Sequence, residues 1–400
     1  MAGGSPLLAR PFLAVLAATL ATFGGYSLLL PVLPLWVASG GAGPGLAGSV
    51  TGVFMAATVL TQLAVPALLR AIGHRAALVL AAVALGAPAA LLVLTPSVWL
   101  AMPVSVVRGA GFGVLTVAGA ALVSDLVPAR VRGRATGIYG LALGLPQLVL
   151  LTGGVWAWAR LGPSTVLLTG AVLPLVALPA MGLLPRRVGA SVPEVVPPVV
   201  SPVVSDAVSD GARRSFARAA VAPWLVMLVC AASAGGVITV LPLAQPAGPA
   251  AGALFALTAA QLVGRSVSGE LGDRLGLGGR VTAPALGVAA LGAGVVAWGL
   301  TGAGTAAVLG GAGLVGLGFG AVQNDTLVTL FTRAGPGRSG TASSVWNTAY
   351  DTGTGLGATA LSAVLGAAGA PWSFVVAALA CVLALGSAPW LRPDPTGTPG

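Results

Sequence analysis

The sequence predicts an all-α membrane protein, with twelve transmembrane helices in two pseudo-symmetric six-helix bundles. Three observations carry that prediction. Only 7% of the 400 residues are charged and 56% are hydrophobic, with a mean hydropathy of +0.99. A soluble domain carries about 25% charged residues, so most of this surface must face lipid. Apolar runs of roughly 20 residues recur along the whole length, each enough to cross a ~30 Å hydrocarbon core as a helix. The third observation is repetition. Gly109-Ala110-Gly111-Phe112-Gly113 returns 207 residues later as Gly316-Leu317-Gly318-Phe319-Gly320. The same offset carries Gly133 onto Gly340 and Tyr139 onto Trp346. Leu33-Pro34-Leu35 returns as Leu241-Pro242-Leu243, and Arg70-Ala71-Ile72-Gly73 aligns with Asp273-Arg274-Leu275-Gly276 at offset 203. One glycine-rich match among 60 glycines would mean little. Three in order at nearly one offset indicate two copies of one bundle.

The spans follow in order. In the first half they run over 12–37, 46–69, 76–95, 98–124, 135–158 and 164–184. In the second they run over 221–243, 250–271, 281–300, 305–331, 341–366 and 371–391. Glycine, proline and arginine punctuate them, as loops require. The first run is about 25 residues long after a single Arg10 and is followed by more spans, which favours a transmembrane helix over a cleaved signal peptide. Three segments result: a bundle over 1–185, a proline-rich linker over 186–220 and a second bundle over 221–400. In the linker Pro193, Pro197, Pro198 and Pro202 alternate with Val and Ser. Proline removes donors and fixes φ, so an extended chain is expected there.

Charge sets the orientation. All 19 basic residues are arginine. With the N-terminus in the cytoplasm, alternating spans place Arg70, Arg75, Arg130, Arg132, Arg134, Arg186, Arg187, Arg274, Arg280, Arg333, Arg338 and others inside, and only Arg160 outside. Both termini are therefore expected to be cytoplasmic, in a multi-pass protein of the cell membrane. The net charge of +10 reports topology rather than nucleic-acid binding. Arg213, Arg214 and Arg218 either touch anionic headgroups or serve as ordinary inside anchors. Cys230 and Cys381 lie inside apolar runs and read as small packing residues rather than a disulfide. His74 is the sole histidine, so no histidine cluster exists. No metal-ligand spacing, nucleophile elbow or phosphate loop is present, and no cofactor or metal is expected.

One motif sharpens the reading. Gly269-Glu270-Leu271-Gly272-Asp273-Arg274-Leu275-Gly276 stands between spans eight and nine. It resembles, at every fixed position, the loop motif Gly-x-Leu-x-Asp-Arg-x-Gly of the major facilitator superfamily. The resemblance implies that Gly269, Asp273, Arg274 and Gly276 help lock the cytoplasmic side. In the first-half counterpart, Pro66 to Arg75, the second glycine (Gly73) remains but Arg70 replaces the acid. Arg108 with the glycines after it resembles the fourth-span motif linked to proton coupling in antiporters, with shortened spacing. The stretch Pro128 to Arg134 resembles the family's basic loop between spans four and five.

Ionised groups in hydrocarbon cost about 2.5–3.5 kcal/mol on insertion scales, so each needs a reason. Arg108, Asp325 and Asp351 stand out. Asp351 lies mid-span with Asn347 one turn before it and Tyr350 and Thr354 nearby. That stripe either lines a central cavity or forms a buried hydrogen-bond network. Asp325 either serves a cavity or gate or pairs with a loop arginine such as Arg333. Arg108 either acts in transport or bonds backbone carbonyls. Tyr26, Gln62, Gln147 and Gln261 are weaker substrate candidates, for which helix-packing glue is the stronger alternative. Asp125, Glu270 and Asp273 suit gate salt bridges. Gly133, Gly137, Gly140 and Gly144 in span five, and Gly353 and Gly357 in span eleven, suit close helix packing.

The reading is a secondary transporter using alternating access, with a midplane path between the halves and no enzymatic chemistry. The preferred activity is proton-coupled efflux, by antiport, of a small amphipathic organic compound. Uptake or facilitated diffusion of a sugar or other nutrient is the first alternative, and a non-transporting sensor or scaffold the second. Expected partners are the small-molecule substrate, protons and membrane lipids, with no nucleic acid and a monomeric state.

Overall fold

The structure is a computed structural model, and it describes residues 7, 9–128, 131–184, 210–335 and 338–391. Among them every regular element is helical. The first half holds α1 (Arg10–Ser39), α2 (Pro44–Gly86) continued by a 3-10 turn (Ala87–Leu94), and α3 (Val98–Leu126). It continues with α4 (Arg132–Pro146), α5 (Thr152–Leu161), α6 (Pro163–Val176) and α7 (Leu178–Gly182). The second half holds α8 (Asp210–Ala244), α9 (Ala247–Leu275), α10 (Thr282–Trp298), α11 (Thr305–Ala334), α12 (Ser339–Ala368) and α13 (Ala370–Ala384). The chain forms two compact units, Met1–Ser201 with Pro242–Ala251 and Pro202–Leu241 with Gly252–Gly400.

Among the described residues, ten helical segments are long and apolar enough to cross a membrane. Pro44–Leu94 counts once although its 51 residues are about twice what one crossing needs. It contains the second and third expected spans. The loop expected between them shrinks to one residue, Gly73, at φ 77 and ψ 167. This left-handed conformation suits glycine alone. α12 is not among the ten, because Asn347, Tyr350, Asp351 and the Ser and Thr around them dilute its hydropathy; it is the eleventh expected span. α4 and α5 form the fifth, joined by a π turn at Gln147–Leu151 directly after Pro146. Proline's missing N–H disturbs the ladder there.

The motif expected as a loop after span eight is mostly helix. α9 runs to Leu275, so Asp273 and Arg274 lie in its last turn, and Gly276 ends it at φ 62. Arg274 there complements the negative end of the helix dipole. The extended linker expected over 186–220 also ends early, since α8 begins at Asp210. From Gly211 to Ala222 the sequence lacks proline and is rich in alanine and arginine, both strong helix formers. Residues 185–209, which include Pro193, Pro197, Pro198 and Pro202, lie outside the described residues.

The repeated pentamer explains the packing of both units. A Cβ on Gly109 or Gly113 would lie closer than 3.0 Å to the carbonyls of Phe54 and Thr58 on α2. One on Gly316 or Gly320 would meet the carbonyls of Leu257 and Gln261 on α9 at the same closeness. The middle glycine faces the third crossing of its half: Gly111 abuts the Ala81 carbonyl, beyond the Gly73 kink of α2, and Gly318 that of Ala285 on α10. In each unit one helix is thus wedged between the two preceding crossings, with backbones in contact, as small residues permit. Thr58 Oγ1 donates to the Gly109 carbonyl at 3.0 Å across the first wedge. Tyr139 Oη lies against Gly119. At the same offset Trp346 Nε1 donates to Thr326 Oγ1 at 3.2 Å. The equivalence predicted for Gly113 and Gly320 is what the two units show. In α12, Gly353 and Gly357 pack against the Leu228 and Ala232 carbonyls of α8 as expected, whereas Gly137 and Gly140 meet nothing within 4 Å.

Candidate functional site

In the first unit the buried charge is Arg108 on α3, 3% exposed. Its Nε donates to the Leu85 carbonyl at 3.1 Å. That carbonyl ends α2 where the chain tightens to a 3-10 turn, and Pro88, three residues on, has no N–H to offer it. Arg108 adds a charged donor to this helix-end carbonyl. The guanidinium also sits 5.5 Å from the Phe54 ring centroid. A desolvated cation–π contact contributes about 2 kcal/mol and a charged hydrogen bond about 1.5–3. Together they offset the ~2.5–3.5 kcal/mol cost of the charge in hydrocarbon.

Four rings gather beside it. Tyr26 stacks on Phe112 at 4.0 Å and on Phe54 at 5.7 Å, and Phe23 packs against Tyr26 and Phe112. Tyr26, Thr51, Phe54 and Arg108 line a cavity of about 10 Å³, room for roughly one water molecule. Sequence reasoning singled out Tyr26 and missed Phe23, Phe54 and Phe112. The available signal was Phe112 itself, which recurs as Phe319 inside the repeated pentamer.

In the second unit Phe319 stacks on Tyr350 at 5.8 Å, and Trp346 lies 5.6 Å from the same ring. Tyr350 is half-buried, and its neighbour Asp351 is 4% exposed. Asn347, half-buried one turn earlier, donates to the Ser343 carbonyl at 2.9 Å, and Thr354 Oγ1 donates to the Tyr350 carbonyl. Asp351 thus sits among polar groups that bond within their own helix.

Asp325 on α11 has a different role. It is 2% exposed. Oδ1 accepts from the Gly279 N–H at 2.7 Å, and Oδ2 accepts from the Thr282 N–H at 2.9 Å and the Thr282 hydroxyl at 2.6 Å. Thr282 opens α10, whose first N–H groups lack intrahelical partners. Asp325 caps that helix from outside, and its negative charge meets the positive helix end. The arginine pairing considered for it does not form; Arg333 donates instead to the Ala219 carbonyl.

The glutamines join helices. Gln62 Nε2 donates to Thr116 Oγ1 at 3.3 Å, and Gln261 Nε2 donates to Gln323 Oε1 at 3.3 Å. Thr116 and Gln323 are equivalent under the 207-residue repeat. Gln147 is half-buried at the start of the π turn after Pro146.

The Major Facilitator Superfamily profile matches residues 15–358. The chain belongs to the major facilitator superfamily. It is therefore a secondary transporter that works by alternating access on a small-molecule substrate, and not an enzyme. No curated protein matches it. Among solved structures it is similar to a bacterial homolog of the human lysosomal transporter Spinster, captured inward-facing and unoccupied. The TM-score is 0.72 with 15% identity, over 98% of this chain and 100% of that one. It is also similar to an auto-inhibited peptide transporter of the POT family, at TM-score 0.73 and 14% identity, over 98% and 99% of the two chains. At such identities the likeness is one of fold.

The motif Gly269–Gly276 is exposed at Asp273 and Arg274. Arg274 Nε pairs with Glu270 one turn earlier on α9. In the first unit Asp125 approaches His74 at 3.8 Å, next to the Gly73 kink. Each unit therefore ties the junction after its second crossing to its fourth. A partly exposed carboxylate–imidazole contact does so in the first, and the buried Asp325 cap in the second.

Proposed function

We propose that this transporter exports a small amphipathic organic compound in exchange for protons, with both termini in the cytoplasm. The observation that carries the proton step is the different placement of its two buried carboxylates. Asp325 holds a helix end and the turn before it through three hydrogen bonds. Asp351 is equally deep but lies on the most polar crossing, beside Tyr350. Protonating Asp325 would break a cap, whereas protonating Asp351 would relieve the desolvation of a buried carboxylate without breaking that cap. The scarcity of charge, 7% of the chain, favours a substrate with a large apolar face. Asn347 and Thr354, which a sugar would need as converging hydrogen-bond partners, bond to their own backbone, and this argues against the nutrient reading. The arginine asymmetry supports the orientation.

Purified transporter in proteoliposomes, loaded with a panel of amphipathic compounds and sugars, tests this. Flux of an amphipathic compound should be driven by an imposed pH gradient and collapse with a protonophore. Gradient-independent flux, or transport confined to sugars, would reject the proposal.

A further inference from the structure

We infer that the second unit carries a binding site for an anionic phospholipid, with the lipid phosphate at Arg218 and Arg333. A cavity of about 440 Å³ opens between α8, the end of α11 and the 3-10 turn Leu385–Leu391. Arg218, Val221, Leu225, Arg333 and Ser387 are among the residues that line it. Positions 218, 221, 222 and 225 follow helical spacing, so they form one stripe down a single face of α8. The stripe starts with an exposed arginine and passes to Val221 and Leu225, 53% and 41% exposed. Over about 10 Å of helix the wall changes from cationic to apolar. A phospholipid changes in the same direction from headgroup to acyl chain.

Arg333 is anchored at the charged end. Its Nη1 donates to the Ala219 carbonyl, the peptide next to Arg218. Both arginines line the cavity, and guanidinium forks suit phosphate oxygens. The Ser387 hydroxyl donates to the Ala384 carbonyl, which leaves the arginines as the phosphate donors. A soluble anion would use the arginines but gain nothing from the apolar wall. A neutral lipid would use the wall but not the charges. The inference rests on the membrane-spanning fold and is independent of the proposed substrate and transport direction.

Native mass spectrometry of the full chain, released from detergent with added phosphatidylglycerol or phosphatidylcholine, tests it. Each arginine near an anionic headgroup contributes about fivefold in affinity. The wild type should therefore prefer phosphatidylglycerol by roughly thirtyfold. Arg218→Gln should reduce that preference about fivefold, while the remote Arg160→Gln should keep it. Size-exclusion profiles show that each variant is folded, which the exposure of Arg218 favours. Unchanged phosphatidylglycerol retention in Arg218→Gln overturns the site. So does glycerol 3-phosphate alone binding with the same Arg218 dependence and affinity, because that marks a soluble-anion site.

Discussion

Asp325 Oδ2 accepts both the backbone N–H and the hydroxyl of Thr282, at 2.9 and 2.6 Å. A carboxylate from α11 thereby caps α10, and through Gly279 it fixes the turn that follows the Gly269–Gly276 motif. Asp325→Ala should lower stability by about 3 kcal/mol, since charged hydrogen bonds to orphan helix donors are lost. Asp325→Asn should lose about half as much, because its amide NH2 faces a donor while its oxygen still accepts. Denaturant unfolding in detergent measures both. Gradient-driven flux per folded molecule should survive in the asparagine variant; its abolition would move Asp325 into the transport chemistry.

Asp351→Asn should abolish gradient-driven transport while the protein still inserts and folds, because an amide cannot cycle a proton. Substrate counterflow, which needs no net proton movement, should persist. Normal gradient-driven flux in this variant removes Asp351 from the mechanism.

Gly316→Ala should destabilise the second unit by about 1–3 kcal/mol, since its Cβ would press on the Leu257 backbone. Gly109→Ala should do the same to the first unit against Phe54. Gly140→Ala, with nothing within 4 Å, should be neutral or stabilising by up to ~1 kcal/mol through helix propensity. Thermal unfolding of the three variants decides whether the repeated pentamer is a packing device. Equal effects at Gly140 and Gly316 would sink that reading.

Arg108→Gln should cost about 2–3 kcal/mol by losing the Phe54 contact and weakening the bond to Leu85. Arg108→Lys should recover part of it, because an ammonium lies over a ring but lacks the planar Nε donor. If the lysine variant equals wild type in both unfolding and flux, the carbonyl bond is not what retains arginine here.

Glu270→Gln should change stability by less than ~0.5 kcal/mol, since the Arg274 pair is exposed at 77% and 57% and of the i,i+4 type. A loss above 1 kcal/mol would show that the pair is buried in a state other than this one.

Much of the fold was legible because a bilayer imposes length and hydropathy on every crossing. The twelve spans, the glycine pentamers and the helix order could be read from apolar runs and repeated spacing. What misled was punctuation. Gly73 reads as the centre of a loop but interrupts α2 by one residue, and the Gly269–Gly276 motif reads as a loop but ends a helix. A glycine signals that the chain can turn, not how far the helices on either side extend.

The sequence by itself determined the class of protein, the two-copy frame and the places where charge enters the membrane. Only the tertiary structure separated the roles of those charges. Asp325 and Asp351 look alike in sequence, each one carboxylate in an apolar helix. They part because residues 46 and 43 positions away, Gly279 and Thr282, deliver donors to Asp325. The repeat could not reveal this, since Ala118 stands at the equivalent place in the first half and Val315 stands opposite Arg108. Local spacing fixes which face a side chain occupies. The donors that meet it come from other helices, and their arrival depends on packing that no short window of sequence contains.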